Sequence, residues 1–208
     1  MKLYTNPLSP NSRRASMVAI QAEVPVDVVV LDFAKGEHKA PDYLAINPNG
    51  MVPTLVDGDL QLFESRAIAQ HLALKAPDRG LFPTDPQSLV DIARWQFWDA
   101  LHFSAALRDI AFEKLFKPMM GMGDPDAAKI EDGKNRFARF GAVLNTHLAG
   151  RDYVVGTNVT IADLGLAASL TYAVPCEVSL ADHPNVAAWF EKMTSLESWK
   201  QTLPPLGG

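Results

Sequence analysis

The sequence has very little cysteine: Cys176 is the single thiol among its 208 residues. One thiol excludes an intrachain disulfide framework, a zinc site built on several thiolates and a Cys-x-x-Cys redox pair. Long apolar runs are also missing, since no stretch approaches the ~18 consecutive apolar residues of a membrane-spanning helix. The first residues lack the apolar core of a signal peptide. From these absences we expect a cytoplasmic protein that does not contact a membrane.

The sequence also lacks a strong excess of either positive or negative charge. The formal net charge is −5, with 7 Lys and Arg against 8 Asp and Glu in residues 1–76 and 12 against 16 in the remainder. Neither part is a basic field, so a nucleic-acid partner is not expected. A hydrophobic content of 48% excludes wholesale disorder. The length suits one large domain or two small ones.

The first 76 residues alternate between strand-like and helix-like patterns. Strands are predicted at 2–5, 26–31, 52–56 and 60–63, and helices at 10–22, 41–46 and 64–76. The β-branched run at 26–31 is typical of a strand buried on both faces. Asp57-Gly58, between the last two strands, predicts a hairpin. This order predicts a small α/β sheet with helices on its faces.

The remaining residues show helical periodicity and no convincing strand. A proline- and glycine-rich stretch at 77–86 is typical of a linker. Helices are predicted at 87–117, 125–149, 160–173 and 185–198, followed by a tail at 203–208. We therefore predict an α/β domain at 1–76, a linker at 77–86 and an all-helical domain at 87–208.

The first predicted helix is preceded by Ser9. Ser9 and Pro10 form a typical helix start, with the serine as N-cap and the proline at the first helical position. The same geometry suits a function, because a hydroxyl at the positive end of a helix donates to an anion there. For a substrate thiol, whose ordinary pKa is ~8.5, ionisation is then favoured. Lowering that pKa by about two units takes roughly 2.7 kcal/mol, which one charge-assisted hydrogen bond and the helix terminus supply.

Three further segments carry groups that suit a peptide ligand. Pro53 opens a strand, and the backbone before it is available to pair with an extended ligand. Glu64 and Ser65 begin a helix, either as ordinary caps or as partners for the ammonium and carboxylate of an amino-acid head. His38 and Lys39 lie in a charged loop, which is either solvated surface or a cationic site for a second carboxylate.

Taken in order, these segments resemble the glutathione-binding half of the cytosolic glutathione transferases, and the resemblance covers essentially the whole chain. The matching stretches are Met-Lys-Leu-Tyr at 1–4, Gly-Glu-His-Lys at 36–39, Asn-Pro-Asn-Gly-Met-Val-Pro-Thr-Leu at 47–55 and Phe-Glu-Ser-Arg-Ala-Ile at 63–68. They look like the phi, theta and related bacterial, serine-type classes. The resemblance implies a thioredoxin-like N-terminal domain, a helical-bundle C-terminal domain and a homodimer.

The resemblance also implies roles for individual residues. Ser9 would activate the glutathione thiol, with Asn11 as a competing or assisting donor. Tyr4 is a less favoured rival, because in strand phase it lies opposite Leu3 and Thr5. The implied glutathione contacts are His38 and Lys39 for the glycyl carboxylate, Val52 before an expected cis Pro53 for the cysteinyl unit, and Glu64 and Ser65 for the γ-glutamyl end. Met51 departs from the family, where a Lys or Gln is frequent.

In the helical half, the pattern at 156–163 resembles the capping box of the same family. It also follows from physical chemistry, because Thr160 and Asp163 can cap the helix start reciprocally while Val159 and Leu164 form the apolar staple. We interpret this element as structural rather than catalytic.

An electrophile site is expected between the two domains, formed by the loop at 5–8 and the long helix. The candidate residues are Leu8, Phe103, Leu107, Phe112, Met119 and Met120. Methionine-rich segments adapt to varied apolar ligands. Packing in the core is the alternative for each of these residues.

The function implied is conjugation of the glutathione thiolate to small apolar electrophiles in detoxification. Glutathione would be a cosubstrate, with no tightly bound cofactor and no metal. Two alternatives stay open. One is glutathione-dependent reduction of disulfides or peroxides, in which Asn11 stabilises the thiolate. The other is a non-catalytic binding protein with the transferase fold.

Overall fold

The computed structural model describes residues 1–205. They form two compact units, residues 1–83 with 195–205 and residues 84–194. The elements of the first unit before residue 84 are β1 (Lys2–Thr5), α1 (Pro10–Gln21), β2 (Asp27–Val30), α2 (Pro41–Ile46), β3 (Thr54–Asp57), β4 (Leu60–Phe63) and α3 (Ser65–Leu74), with 3₁₀ turns at Glu37–Lys39 and Pro77–Arg79. The predicted α/β order is confirmed.

The strands form one mixed sheet in the order β2-β1-β3-β4. β1 pairs in parallel with β2 and antiparallel with β3, and β3 pairs antiparallel with β4. In this register Tyr4 lies opposite Thr54, and Thr54 lies opposite Phe63. The C-terminal ends of β1, β2 and β4 and the N-terminal end of β3 therefore lie together at the same end of the sheet, where these strands terminate.

The two faces of β1 have different neighbours. Leu3 and Thr5 are buried on one face. Tyr4 lies on the other, where its ring packs against Tyr43 of α2 at 5.5 Å between centroids. This alternation is the period-two pattern of a strand.

The burial predicted for strand β2 is wrong. Within the described residues it pairs with β1 alone and lies at the edge of the sheet. Val28 and Val30 are 55% and 58% exposed, so the strand is not buried on both faces as the run at 26–31 predicted. β-branched residues favour an extended backbone wherever it lies, while burial depends on neighbouring elements.

The second unit is helical. Its elements are α4 (Pro86–Trp98), α5 (Ser104–Ala111), α6 (Lys117–Met119), α7 (Ala127–His147), α8 (Ile161–Ser169) and α9 (Pro184–Ser195), which runs to the boundary of the unit. π-helical turns at Asp99–Phe103 and Phe112–Phe116 join α4, α5 and α6. The backbone stays helical through these junctions, so the predicted helix at 87–117 is present as a continuous run over 86–119 with two π-helical turns inside it, and Pro118 lies near its end. None of the helices in the described part of the chain is both long and apolar enough to cross a bilayer.

The capping box at the start of α8 is confirmed. The carboxylate of Asp163 accepts from the Thr160 backbone at 2.9 Å, and the Thr160 hydroxyl accepts from the backbone of Ala162 at 3.3 Å. Asp163 is completely buried and also accepts from the Val154 backbone at 2.8 Å and from Trp189 Nε1 at 2.9 Å. Burial raises the pKa of this carboxyl.

The C-terminal segment packs in the first unit. Helix α10 (Glu197–Lys200) follows an extended residue, Leu196, which ends the predicted helix at 185–198 early. The guanidinium of Arg13 stacks on Trp199 at 3.6 Å and donates to its carbonyl at 3.0 Å. Residues 195–205 therefore lie with α1 and not with the helices among which the sequence placed them. The other predicted domain limits stay predictions, and residues 206–208 of the predicted tail lie outside the described residues.

Candidate active site

Four segments that carry predicted ligand-binding residues lie together at this end of the sheet. Residues 6–9 follow β1, residues 31–39 follow β2, residues 50–53 precede β3 and residues 64–65 follow β4. Because these strands lie side by side, the segments are brought together within the first unit alone.

Ser9 is the N-cap of α1, as predicted. Its backbone is extended, with φ −91 and ψ 116, and its Oγ accepts from the Ser12 backbone at 3.2 Å. The Ser9 hydroxyl proton has no acceptor among residues 1–205, so it is available to a ligand. The first turn of α1 holds no acidic side chain, which leaves the helix N-terminus attractive to an anion.

The loop that carries Ser9 is held by Asn6, which is not one of the predicted site residues. Asn6 Nδ2 donates to the Leu31 carbonyl at 2.9 Å, and its Oδ1 accepts from the Leu8 backbone at 3.0 Å. Its own backbone N–H donates to Ser12 Oγ at 3.1 Å. The loop is thereby attached to α1 and to the end of β2. An asparagine just before a proline is a turn signal that identifies this residue.

Arg14 connects α1 to α3, and it was also missed. Its side chain is completely buried. Nη1 donates to Asn11 Oδ1 at 2.6 Å and to Ser65 Oγ at 2.8 Å. The sequence holds no signal for this role, because an arginine in an amphipathic helix ordinarily lies at the surface. The structure thus brings the predicted residues Asn11 and Ser65 together.

Glu64 adopts an unusual backbone conformation, with φ 71 and ψ 106. It occupies the N-cap position of α3, but its side chain makes no capping hydrogen bond, so the alternative role of Glu64 as an ordinary cap is wrong. Its carboxylate is exposed and has no partner among the described residues. A non-glycine residue at positive φ is uncommon, and such strain concentrates at ligand sites.

His38 and Lys39 lie in the 3₁₀ turn Glu37–Lys39, against the loop that precedes β3. A Cβ atom at Gly50 would lie 2.8 Å from Lys39 Nζ and 2.9 Å from the His38 carbonyl oxygen. The His38 ring packs against Phe33 at 4.2 Å between centroids, and its Nδ1 is buried without a hydrogen-bond partner in the described part of the chain. The two predicted cationic residues are therefore adjacent to the predicted backbone-pairing loop.

The Val52–Pro53 peptide bond is cis, as expected. The backbone N–H and C=O of Val52 have no hydrogen-bond partner within residues 1–205. The carbonyl of the preceding Met51 accepts from the Tyr43 hydroxyl at 2.5 Å and from Asn47 Nδ2 at 2.9 Å. Burial raises the pKa of Tyr43. The loop is thus anchored while the Val52 backbone is available for strand-like pairing.

The candidate electrophile-site residues differ in burial. Phe103 is completely buried and its ring stacks on Trp98 at 5.5 Å between centroids, so it is a packing residue of the helical unit. Leu107 is nearly buried and Leu8 is half-buried. Phe112, Met119 and Met120 are 36%, 56% and 55% exposed. Their ligand-binding role stays a prediction.

The first unit is thioredoxin-like. It has a four-stranded mixed sheet, and a helix N-terminus, a cis proline and an unpaired backbone segment lie at one end of that sheet. A helical unit follows it in the chain. Comparison with known proteins gives the family. The chain matches the family models for the glutathione S-transferase N-terminal domain over residues 1–74 and the C-terminal domain over residues 107–197. The chain belongs to the glutathione S-transferase family.

Similar proteins match along nearly the full chain. Glutathione S-transferase 3 of Zea mays is 37% identical, and the alignment covers 99% of this chain and 96% of the relative. The structure of glutathione transferase F7 from Populus trichocarpa is 27% identical with a TM-score of 0.91, covering 100% of this chain and 99% of that one. The structure of glutathione S-transferase I from mais, in complex with an atrazine glutathione conjugate, is 31% identical with a TM-score of 0.88, covering 97% and 95%.

Proposed function

We propose that this protein is a glutathione transferase of the serine type, which ionises the thiol of glutathione and conjugates it to small apolar electrophiles. The observation that carries the proposal is Ser9. Its oxygen is engaged by the helix start, its proton is uncommitted, and it lies where an anion is favoured. The family relationship supports the choice of glutathione as cosubstrate.

Glutathione matches the charges and donors that surround Ser9. The tripeptide carries one ammonium, two carboxylates and a thiol between two amides. Glu64 supplies an exposed carboxylate for the ammonium, and Ser65 with the start of α3 suits the adjacent carboxylate. The unpaired Val52 backbone suits the cysteinyl amide groups, and His38 and Lys39 suit the glycyl carboxylate.

The proposed chemistry is nucleophilic attack by the sulfur. Ser9 donates a hydrogen bond to the thiolate, and the N-terminus of α1 adds its partial positive charge. An ordinary thiol, with a pKa of ~8.5, is only a few per cent ionised at neutral pH, so this stabilisation increases the nucleophile directly. The thiol first releases its proton to solvent, and the sulfur lone pair then forms a bond to the electrophilic carbon. In a substitution that carbon releases its leaving group with the bonding pair. In an addition the π pair of the carbon moves to the adjacent atom, which takes up a proton from solvent.

For the electrophile we propose contacts with the exposed apolar side chains of the helical unit, Phe112, Met119 and Met120. Flexible thioether side chains accommodate ligands of different shape. Phe103 is not included, because packing already buries it completely.

We also propose a homodimer. Helix α4 and the turn after it expose Val90, Phe97 and Leu101 at 71%, 69% and 69%. Their spacing places them on one side of the helix. Exposed apolar stripes of this kind are ordinarily covered by a partner, and a second copy of the chain is the commonest one. The cytoplasmic location, the detoxification role and the bacterial subclass remain predictions from the sequence.

Parallel assays with an aryl halide and a small disulfide test the proposed reaction. We expect glutathione conjugation of the aryl halide, and a decrease in kcat/KM of about 10-fold to 100-fold in Ser9→Ala, the effect of losing one hydrogen bond to a charged group. Ser16→Ala is the matched control, since Ser16 also lies on α1 and its side chain makes no hydrogen bond among residues 1–205. Disulfide reduction without conjugation, or full conjugation by Ser9→Ala, would refute the proposal.

A further inference from the structure

We infer that Arg14 is a positioning residue for the thiolate site. Its buried guanidinium holds the side-chain amide of Asn11 with the carbonyl oxygen turned inward, so that the amide NH2 group is the one presented to glutathione. The inference rests on the proposed function, and it adds a second thiolate donor whose orientation depends on a residue that does not itself touch the substrate.

The chemistry of the contact determines the orientation of the amide. A guanidinium has five N–H donors and no acceptor, so the Asn11 atom 2.6 Å from Arg14 Nη1 is the carbonyl oxygen. The hydroxyl of Ser65, 3.4 Å away, faces the same oxygen. Turning the amide over would place its NH2 group against the Arg14 N–H group, donor against donor. Nδ2 has no partner among residues 1–205, so it remains available to a ligand.

Burial makes this orientation specific. Asn11 itself is exposed, and the terminal torsion of an exposed asparagine is broad. Arg14 is completely buried, so its hydrogen bond to Asn11 is shielded from competing water on the guanidinium side. Asn11 is thereby held in one orientation before glutathione binds, and a donor fixed in advance loses less conformational entropy on binding.

The same guanidinium nitrogen also reaches the other end of the site. Nη1 of Arg14 donates to Ser65 Oγ at 2.8 Å, and Ser65 is the first residue of α3, in the segment proposed for the γ-glutamyl end. One cation therefore links the proposed thiol and glutamyl subsites. If Arg14 acts through Asn11 on the thiol, its loss and the loss of Asn11 will not be additive.

The experiment measures the apparent pKa of enzyme-bound glutathione from the ultraviolet absorbance of the thiolate. The variants are Arg14→Lys, Asn11→Ala and the double variant, with Arg13→Lys as the matched control. Arg13 is also buried and lies next to Arg14 on α1, but it donates to the C-terminal residues Trp199 and Thr202. Urea unfolding of every variant separates a loss of stability from a change at the site.

We expect Arg14→Lys and Asn11→Ala each to raise the thiol pKa by about one pH unit. The double variant should show no further rise, and Arg13→Lys should leave the thiol pKa unchanged. Equal values in Arg14→Lys and Arg13→Lys, full additivity in the double variant, or no effect of Asn11→Ala overturns the inference.

A second variant keeps the test decisive if Arg14→Lys does not fold. Asn11→Asp retains an acceptor for Arg14 and removes the NH2 donor, so we expect a folded protein whose thiol pKa rises more than in Asn11→Ala. A thiol pKa in Asn11→Asp equal to that of the parent overturns the inference. Failure of the proposed function is distinct, because the parent would then neither bind nor ionise glutathione.

Discussion

Replacing Gly50 by alanine tests whether the loop before β3 keeps Lys39 and His38 in place for glutathione. Gly50 has φ +58, and the new Cβ would lie 2.8 Å from Lys39 Nζ and 2.9 Å from the His38 carbonyl oxygen. The lysine ammonium can swing away at little cost. The carbonyl belongs to the backbone, so it moves only if the turn Glu37–Lys39 moves with it.

Two costs follow from the substitution. Alanine in the left-handed region costs about 1–2 kcal/mol of stability. If Lys39 binds the glycyl carboxylate as proposed, displacing it removes a charge-assisted hydrogen bond worth about 1.5–3 kcal/mol. The second cost corresponds to glutathione binding that is weaker by roughly 10-fold to 150-fold.

The assay is calorimetric titration with glutathione, together with urea unfolding. Gly58→Ala is the control, because Gly58 has φ +61 in the β3–β4 hairpin and its Cβ would meet no atom within 4 Å. We expect both variants to lose stability through the backbone, and only Gly50→Ala to bind glutathione more weakly. Equal dissociation constants in the two folded variants would refute the assignment of Lys39 and His38 to the ligand.

Three further predictions concern the helical unit. Gly141→Ala should lower the free energy of unfolding in urea by about 1–3 kcal/mol, because its Cβ would lie 2.5 Å from Nε2 of buried His183. An unchanged free energy of unfolding contradicts this packing. Asp163→Ala should destabilise the protein by at least about 3 kcal/mol, or prevent folding, since three buried N–H groups lose their acceptor. An unchanged midpoint of urea unfolding contradicts this prediction. Burial raises the pKa of Cys176 to about 11, so a chromogenic disulfide reagent near neutral pH should label it only as fast as the protein unfolds; immediate labelling contradicts it.

The elements that the sequence predicted best are those with local signals. β1, α2 and β4 begin and end at the predicted residues, 2–5, 41–46 and 60–63. The starts of α1 and α8 follow from the chemistry of Ser9 and Thr160, whose side chains cap the backbone nearby. Such signals act over a few residues, so they do not require knowledge of the tertiary structure.

The features that the sequence did not reveal depend on distant neighbours. The valine-rich run of β2 favours a strand, but only its position in the sheet makes Val28 and Val30 exposed. The C-terminal segment joins the first unit because Trp199 packs on Arg13, a contact between residues 186 positions apart. The π-helical turns Asp99–Phe103 and Phe112–Phe116 contain no proline or glycine and keep the backbone helical, so the sequence predicts one long helix and does not reveal them.

The candidate site shows the same division. Motifs located Ser9, Asn11 and Ser65, whose roles toward glutathione stay predictions. The residues that position them, Asn6 and Arg14, were not among the predicted site residues. Arg14 has no distinguishing pattern on α1, and it becomes significant only because α1 packs against α3 and buries it beside Ser65.

The central claim is that Ser9 and the N-terminus of α1 hold the glutathione sulfur as a thiolate. The most direct measurement is the ultraviolet titration of glutathione bound to the parent, Ser9→Ala and Asn11→Ala. We predict a bound thiol pKa about two pH units below the ordinary value in the parent, and a higher pKa in each variant. A parent value equal to that of free glutathione, or the same value in all three proteins, would contradict the account.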